Sequence, residues 1–296
     1  MKKLMYIINP VAGRQMYKQH MAEVLKLMYD KGYLPTVYFT RGSNDAKELV
    51  RKKAHKYDLV CCLGGDGTLS EVVNGMMRVE KRLPIGYLPL GTANDVASTL
   101  GIPKNLPLRA ARAAMLGTPT PWDVGKVTGD DYFVYVTAFG AFTDVSYETP
   151  QESKQNLGHL AYMINGIGSL GSLTGYNTKV ILDDKEMIEG EFIFGGVTNS
   201  YSVGGMIKLP KSHAILDDGK FEVALLKYPK NFTEFANMSS DVISLNQHGE
   251  FLSIYQAKKV RFIFDEPVAM TRDGERGGTY QDITIENMRK AIHIIA

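Results

Sequence analysis

The 296-residue sequence has only two cysteines, Cys61 and Cys62, and they are neighbours. They lie in the apolar run Leu59–Leu63, which is typical of a buried strand. Successive side chains of a strand point to opposite faces, so a disulfide between these two cysteines is not expected. So little cysteine indicates a reducing compartment and argues against a disulfide-stabilised secreted fold. We therefore expect a cytoplasmic protein.

An excess of charge of one sign is also missing. The sequence has 34 Lys and Arg against 32 Asp and Glu, a formal net charge of +2. That balance does not indicate a nucleic-acid partner. Long hydrophobic runs are missing as well: Leu4–Ile8 is shorter than the core of a signal peptide. The longest uncharged stretch, Gln155–Thr178, contains five glycines and makes a poor membrane span.

Two common kinds of catalytic centre have no signature in the sequence. The six histidines show no metal-binding spacing. No Gly-x-Ser-x-Gly motif and no Cys–His arrangement indicates acyl transfer. The function must therefore be sought in glycine-rich and acidic motifs.

Residues 1–122 alternate strand-like and helix-like segments, which predicts a parallel, Rossmann-like sheet in an α/β nucleotide-binding domain. The predicted strands are Leu4–Ile8, Pro35–Phe39, Asp58–Leu63 and Pro84–Pro89. Ser43 is expected to cap the helix that follows the second strand. A C-terminal strand near residues 288–296 could complete this domain.

Residues 123–287 change to aromatic and β-branched runs separated by turn signals. This pattern predicts a mostly antiparallel β-sandwich domain. One of its predicted strands is Tyr132–Ala138. Two helical insertions are also expected, one near residues 155–174 and one whose apolar face consists of Phe232, Phe235, Val242 and Ile243.

Three polar loops follow three predicted strands of the first domain. They are Asn9-Pro10-Val11-Ala12-Gly13, Gly64-Gly65-Asp66-Gly67-Thr68 and Gly91-Thr92-Ala93-Asn94-Asp95. A glycine-rich turn that opens a helix offers backbone N–H groups and the positive end of the helix dipole to a phosphate. Because the carboxyl ends of parallel strands meet at one sheet edge, the loops are expected to face one nucleotide. Taken singly, each is also explained as an ordinary turn or helix cap.

Carboxylates at three places in the sequence are candidates for metal binding or proton transfer. Asp66 lies among glycines where polyphosphate would bind, so a cation must lie between the two negative charges. Asp218, before Gly219, is either part of a simple hairpin turn or a hard oxygen ligand for Mg²⁺ beside backbone carbonyls. In Asp273-Gly274-Glu275, one carboxylate could deprotonate a hydroxyl nucleophile while the other orients it or binds a metal.

These motifs together resemble the lipid-kinase family with a diacylglycerol-kinase catalytic domain, and most of all its soluble members from Gram-positive bacteria. The resemblance covers nearly the whole chain through Asn9–Gly13, Gly64–Gly75, Gly91–Asp95, Val145–Pro150, Leu216–Gly219 and Asp273–Glu275. It implies ATP-dependent phosphorylation of a membrane lipid hydroxyl, with diacylglycerol as the first expectation. It also implies a cytoplasmic protein that contacts the inner membrane face transiently, and it admits a homodimer.

The resemblance further implies which residues form the site. ATP would be held by Asn9, Pro10, Val11, Ala12, Gly13, Thr40, Gly64, Gly65, Asp66, Gly67, Thr68, Leu69, Ser70 and Thr92. One Mg²⁺ would bind Asp218 and the carbonyls of Ile215 and Lys220, in addition to the Mg²⁺ carried by ATP. Glu275 would be the proton acceptor with Asp273 beside it. Asp66 and Asp95 would organise metal and water around the phosphates.

The sequence departs from the family pattern at two places. Ser70 replaces a common asparagine but can still donate a hydrogen bond to ribose or phosphate. Ala97-Ser98 lacks an arginine that many members carry, which affects contacts to the lipid headgroup or phosphate. Two interpretations of the segment Gln155–Thr178 are left open. It forms either a helical cover near the lipid entrance or a helix whose apolar face packs on its own domain.

Other functions remain open at this point. The lipid alcohol could be a long-chain base, ceramide or polyprenol, because all share an apolar tail and one hydroxyl. An enzyme similar to NAD kinase also uses Gly-Gly-Asp-Gly-Thr, although Gly91–Asp95 and the Asp-Gly-Glu turn favour a lipid kinase. A regulatory module that binds nucleotide or lipid without turnover is the non-enzymatic alternative.

Overall fold

The computed structural model describes residues 1–13, 18, 20–91, 94–141, 173–203, 207–208, 215–246 and 249–296. The chain divides into two compact units, Met1–Val124 with Met288–Ala296, and Gly125–Asn287. The first is α/β and the second is mostly antiparallel β, so the predicted fold class is confirmed. The predicted helical insertion lies outside the described residues over 155–172, as do Thr92 and Val145–Pro150. No helix within the described ranges is long and apolar enough to cross a membrane.

The first unit is built on a parallel sheet in the order β4, β3, β1, β2. Its strands are β1 (Lys2–Ile8), β2 (Tyr33–Phe39), β3 (Leu59–Gly64) and β4 (Ile85–Pro89). Its helices are α1 (Met21–Asp30), α2 (Asp45–Lys53), α3 (Asp66–Met76), α4 (Asp95–Leu100) and α5 (Pro107–Leu116), with a 3₁₀ turn at Ala54–Lys56. Leu4–Ile8 and all of β3 and β4 are buried, as expected for parallel strands covered on both faces. Ile294 and Ile295, at the end of the last strand, extend the sheet beside β4.

The second unit contains long strands around an aromatic core. Its strands are β5 (Pro119–Val127, which begins in the first unit), β6 (Asp131–Phe133), β7 (Val136–Gly140), β8 (Tyr176–Leu182), β9 (Glu186–Thr198), β10 (Ser202–Val203), β11 (Ile207–Lys208), β12 (Phe221–Lys227), β13 (Leu252–Ala257), β14 (Lys259–Arg272) and β15 (Glu275–Ile295). The helix α6 (Phe232–Ser244) lies between β12 and β13 in the chain. Both β7 and β8 pair with β9 and with β14. Phe139 packs inside this closed arrangement, 4.8 Å from Phe264 and 5.4 Å from Phe262 between ring centroids.

Two sequence-based predictions in the second unit were wrong in part. The segment predicted as one strand, Tyr132–Ala138, is split into β6 and β7, because the N–H groups of Val134 to Val136 bond to the Asp273 carboxylate instead of a neighbouring strand. The second predicted helical insertion is present as α6 and its Val242 is buried as expected, but Phe232 is 77% exposed and Ile243 is 49% exposed. The buried positions of this helix are Met238 and Val242, one turn apart.

Glu222 is a buried carboxylic acid on β12. It is 3% exposed, and its Oε1 accepts a hydrogen bond of 3.2 Å from Gln256 Nε2 on the neighbouring strand β13. Burial disfavours the charged form and raises the pKa of Glu222 to about 7, with the nearby negative charge of Asp218 adding to the shift. The folded chain therefore binds this proton more tightly than the unfolded chain.

We predict that Glu222 makes stability fall as pH rises. Between the unfolded-state pKa near 4.5 and the folded-state pKa of about 7, the native state holds more protons, so the free energy of unfolding decreases by up to about 3 kcal/mol and then levels off. Glu222→Gln should remove this loss. Urea unfolding of both proteins between pH 5 and pH 8, in the presence of EDTA, measures it. The exposed Glu186→Gln is the control; equal pH profiles for wild type and Glu222→Gln would contradict the prediction.

Candidate functional site

The loops after β1 and β3 are joined side chain to side chain. Asn9 donates from its amide Nδ2 to Thr68 Oγ1 at 3.0 Å, and its Oδ1 accepts the Val11 N–H at 3.1 Å. The Asn9 backbone N–H also bonds to the Leu63 carbonyl at 2.9 Å. The first polar loop and the glycine turn therefore share one end of the sheet in the first unit.

The loop after β4 approaches the same turn through its backbone. Leu90 donates its N–H to the Gly64 carbonyl at 2.8 Å. A Cβ atom at Gly91 would lie 2.8 Å from the Cα of Gly65, closer than real Cβ contacts come. Gly13 has φ +55°, and a Cβ there would lie 3.0 Å from the Leu90 carbonyl oxygen. Side chains at these glycines would push the three loops apart.

The glycine turn leads directly into α3. Gly65 is the N-cap, and the first intrahelical bond runs from the Leu69 N–H to the Gly65 carbonyl at 3.1 Å. Because glycine has no side chain, it supplies no side-chain cap to the N–H groups of the first turn. Together with the helix dipole, that turn favours an anion at this edge. Ser70 is half-buried in the next turn of the helix.

Asp66 connects the glycine turn to the start of α4. Its Oδ2 accepts the Asp95 N–H at 3.0 Å and its Oδ1 accepts the Val96 N–H at 3.4 Å. The neighbouring Tyr87 is buried, which raises its pKa, and the negative charge of Asp66 acts in the same direction. Asp66 and Asp95 are thus two carboxylates at adjoining helix starts. A polyphosphate at this edge needs a cation to offset them.

Thr40 and Glu71 extend the site along the edge of the sheet. Thr40 follows β2 and donates its N–H to the Ile8 carbonyl at 2.9 Å. Glu71, on α3, accepts the N–H groups of Asn44 at 2.7 Å and Ala46 at 3.0 Å, so it satisfies the start of α2. The predicted cap by Ser43 was wrong, since Asn44 is the N-cap and Glu71 supplies the acceptors. No local sequence signal links Glu71 to that helix.

The positions at which the sequence differs from the family pattern lie in the site or beside it. Ala97 is fully buried, whereas Ser98 is exposed and donates from Oγ to the Asn94 carbonyl at 3.1 Å. Asn94 is also fully buried, and its Oδ1 accepts the Gly91 N–H at 2.9 Å. Its side chain therefore holds the loop before α4 in shape.

Asp218 lies in a turn of the second unit. Its Oδ1 accepts the Lys220 N–H at 2.8 Å, and Gly219 has φ +88°. Within the described parts of the chain, no three or more His, Cys, Asp or Glu side chains form a cluster that could hold a metal. The described residues of this turn offer a cation one carboxylate and backbone carbonyls, and water would complete its coordination. That oxygen donor set fits Mg²⁺, which keeps several waters when it binds proteins.

The two carboxylates of the turn between β14 and β15 have different surroundings. Asp273 is 3% exposed, and its carboxylate accepts backbone N–H groups of Val134, Tyr135 and Val136 at 2.8–3.2 Å. Glu275 begins β15 and is exposed. Only Glu275 can reach a substrate in this arrangement, whereas Asp273 is committed to the backbone.

Comparisons with known proteins bear on these motifs. A family profile described as diacylglycerol kinase catalytic domain matches residues 3–127. The diacylglycerol kinase of Bacillus subtilis strain 168 is 34% identical over 297 residues, covering 100% of this chain and 96% of the relative. That of Staphylococcus carnosus strain TM300 is 34% identical over 285 residues, covering 94% and 90%. A crystal structure of a candidate diacylglycerol kinase from Bacillus anthracis superposes with a TM-score of 0.81 at 25% identity, covering 99% of this chain and 95% of that one.

We predict that Glu71 stabilises the first unit by capping α2. Glu71→Ala removes the acceptor of two backbone N–H groups and should lower the free energy of unfolding by about 1–2 kcal/mol. Glu71→Gln should lie between Glu71→Ala and wild type, because one amide oxygen remains. Ser43→Ala is the control and should change stability by less than about 0.5 kcal/mol. Urea unfolding of the full chain measures all three; an equal loss in Ser43→Ala and Glu71→Ala would refute the cap.

Proposed function

This chain belongs to the family of diacylglycerol kinases, and from that premise we propose that it transfers the γ-phosphate of ATP to the hydroxyl of diacylglycerol to give phosphatidic acid. The family implies a kinase that uses ATP and acts on a lipid. The observation that carries the proposal is the meeting of three loops at one sheet edge, beside the start of α3, whose N–H groups and dipole favour an anion. Full-length similarity to named diacylglycerol kinases supports diacylglycerol as the acceptor.

The nucleotide is assigned to the first unit. We assign its binding to the residues that the family resemblance implies: Asn9, Pro10, Val11, Ala12, Gly13, Thr40, Gly64, Gly65, Asp66, Gly67, Thr68, Leu69, Ser70 and Thr92. The hydrogen bond from Asn9 to Thr68 supports a shared role for two of the loops. N–H groups at the start of α3 would bind phosphate oxygens and favour the charge that develops during transfer.

A divalent cation would offset the negative charge on the phosphates, and we assign it as Mg²⁺. Asp66 and Asp95 lie where they could orient cation-bound water, because their positions are set by the bonds between the Asp66 carboxylate and the start of α4. A second cation is assigned to Asp218 with the carbonyls of Ile215 and Lys220. When bound, the cations neutralise charge without exchanging protons.

The proton acceptor is assigned to Glu275. In the reaction, the lipid hydroxyl oxygen forms a bond to the γ-phosphorus, and the bond from that phosphorus to the bridging oxygen of ADP breaks. The hydroxyl proton moves to the Glu275 carboxylate. Glu275 is exposed, as a group that meets substrate must be. Asp273 does not fit a role as a second base, because both its oxygens accept backbone N–H groups.

A lipid substrate requires contact with a membrane. We propose that the protein works in the cytoplasm and binds the inner membrane face transiently. The other lipid alcohols, namely long-chain bases, ceramide and polyprenols, share the hydroxyl and the apolar tail of diacylglycerol. Formation of NADP would instead indicate an enzyme similar to NAD kinase, and binding without turnover would indicate a regulatory module.

We predict that purified protein with ATP and Mg²⁺ converts diacylglycerol in mixed micelles to phosphatidic acid. A radiolabelled phosphate assay across the lipid alcohols and NAD measures the acceptor. Glu275→Gln should reduce kcat by about 100-fold or more, since it removes the proton acceptor. The exposed Glu286→Gln on the same strand is the matched control. The proposal fails if the phosphate is transferred to another acceptor and not to diacylglycerol. It also fails if Glu275→Gln is as active as wild type.

We predict that Asp218→Asn weakens the response to divalent cation. The neutral amide is a poorer ligand than a carboxylate, so the Mg²⁺ concentration that gives half-maximal thermal stabilisation should rise about tenfold. Differential scanning fluorimetry with Mg²⁺ or Mn²⁺ and no nucleotide measures this without turnover. The exposed Asp265→Asn is the control. An unchanged Mg²⁺ response in Asp218→Asn would contradict the assignment.

A further inference from the structure

The carboxylate of Asp273 organises the backbone below the Glu275 turn. It accepts the N–H of Val134 at 2.8 Å, of Tyr135 at 3.0 Å and of Val136 at 3.2 Å, and the Asp273 N–H bonds to the Val136 carbonyl at 2.8 Å. Charge-assisted bonds from several backbone donors are strong and geometrically restrictive. The two segments lie 137 to 139 positions apart in the chain, so this carboxylate joins two distant parts of the second unit.

The same backbone segment is held from its other side by a threonine and an asparagine. The Tyr135 carbonyl accepts a hydrogen bond from Thr198 Oγ1 at 2.6 Å and from the Asn199 N–H at 2.9 Å. Thr198 is fully buried and Asn199 is 1% exposed. Buried hydrogen bonds of this kind are costly to break, because the groups left behind would find no water.

Asn199 then reaches the loop assigned to the second cation. Its side-chain Nδ2 donates to the Leu216 carbonyl at 3.3 Å. Leu216 lies between Ile215, whose carbonyl is an assigned ligand, and the Asp217-Asp218-Gly219 turn. A continuous path of hydrogen bonds therefore runs from Asp273 through Tyr135 and Asn199 to this loop.

We name Asp273, Val134–Val136, Thr198 and Asn199 the Asp273 network, and we call the loop Ile215–Lys220 the cation loop. We propose that the Asp273 network fixes the positions of the proton acceptor and the cation loop within the second unit. Asp273 is then a positioning residue that acts through Glu275, and Asn199 is a positioning residue for the carbonyls around Asp218. The inference rests on the proposed function for the roles of Glu275 and Asp218. The network itself consists only of observed hydrogen bonds.

The choice of aspartate over asparagine follows from the donors that surround it. Three N–H groups converge on two oxygens, and Val134 bonds to both of them. In Asp273→Asn, an NH₂ group replaces one oxygen and must face a backbone donor. The backbone must then move, and Glu275, two residues away, moves with it. Displacements of about 1 Å at a reacting group are enough to lower rates by large factors.

The test compares Asp273→Asn and Thr198→Val with Glu275→Gln in the full chain. Thr178→Val is the matched control, because its hydroxyl is also internally bonded, to the Tyr176 carbonyl at 3.0 Å, but lies outside the network. We expect Asp273→Asn and Thr198→Val to lower kcat about tenfold or more while KM for ATP changes less than about twofold. The remaining activity of both should keep the acidic limb of the wild-type pH profile, because Glu275 still accepts the proton.

Two further measurements test the Asp273 network without an activity assay. Amide hydrogen exchange at Val134–Val136 should accelerate about tenfold or more in Asp273→Asn and stay unchanged in Glu275→Gln. The Mg²⁺ concentration for half-maximal thermal stabilisation should rise several-fold in Asn199→Ala, because the Leu216 carbonyl loses its donor. If the wild type phosphorylates no lipid, the proposed function fails, while both of these measurements still test the network.

The proposal is overturned by any of three results. Loss of the acidic limb in Asp273→Asn with normal exchange at Val134–Val136 would make Asp273 the base. A wild-type kcat in Thr198→Val would show that the network does not position Glu275, and this variant decides that point if Asp273→Asn fails to fold. An unchanged Mg²⁺ response in Asn199→Ala would separate the cation loop from the network.

Discussion

The first unit depends on how closely two stretches of backbone approach each other. Gly65 and Gly91 are so near that a Cβ at Gly91 would lie 2.8 Å from the Gly65 Cα. Because Gly91 has no side chain, the two stretches can approach closely enough for the Leu90 N–H to bond to the Gly64 carbonyl. That contact in turn brings the start of α4 within reach of Asp66. The glycines of the motif therefore act first on the spacing of the protein's own loops, and the anion-binding edge follows from that spacing.

Several carboxylates in the described parts of the chain accept hydrogen bonds from backbone N–H groups. Glu71 satisfies the start of α2, Asp66 satisfies the start of α4, and Asp273 accepts three consecutive N–H groups. Asp123 adds a fourth example, since it is fully buried and accepts the Lys290 N–H at 2.6 Å. An acidic residue in a motif is therefore weak evidence for catalysis until its exposure and its partners are known. Exposure separates Glu275 from Asp273, although they lie two positions apart.

Sequence alone predicted the elements whose signal is local. The apolar runs behind β1, β3 and β4 and the glycine-rich loops after them gave the sheet and its edge, because burial of parallel strands leaves a continuous hydrophobic pattern. Features that depend on distant partners were missed. Glu71 caps a helix start 27 positions away, and the split of Tyr132–Ala138 depends on a carboxylate 139 positions from Val134. The helix α5 was missed as well, although Pro107 at its first position is a recognised start signal.

The hydrogen bonds between Asp66 and the start of α4 also explain how a carboxylate can lie at the sheet edge to which polyphosphate is assigned. Two N–H groups at the start of α4 donate hydrogen bonds to the Asp66 carboxylate, which stabilises its negative charge and holds it in a fixed position. A fixed carboxylate loses little conformational freedom when it orients a hydrated cation, whereas a mobile one would first have to be ordered. The same bonds prevent the side chain from turning away from an incoming polyphosphate. Under the proposed function, Asp66 would favour the nucleotide together with its cation over the bare nucleotide, and the backbone of α4 would make that preference a property of the fold.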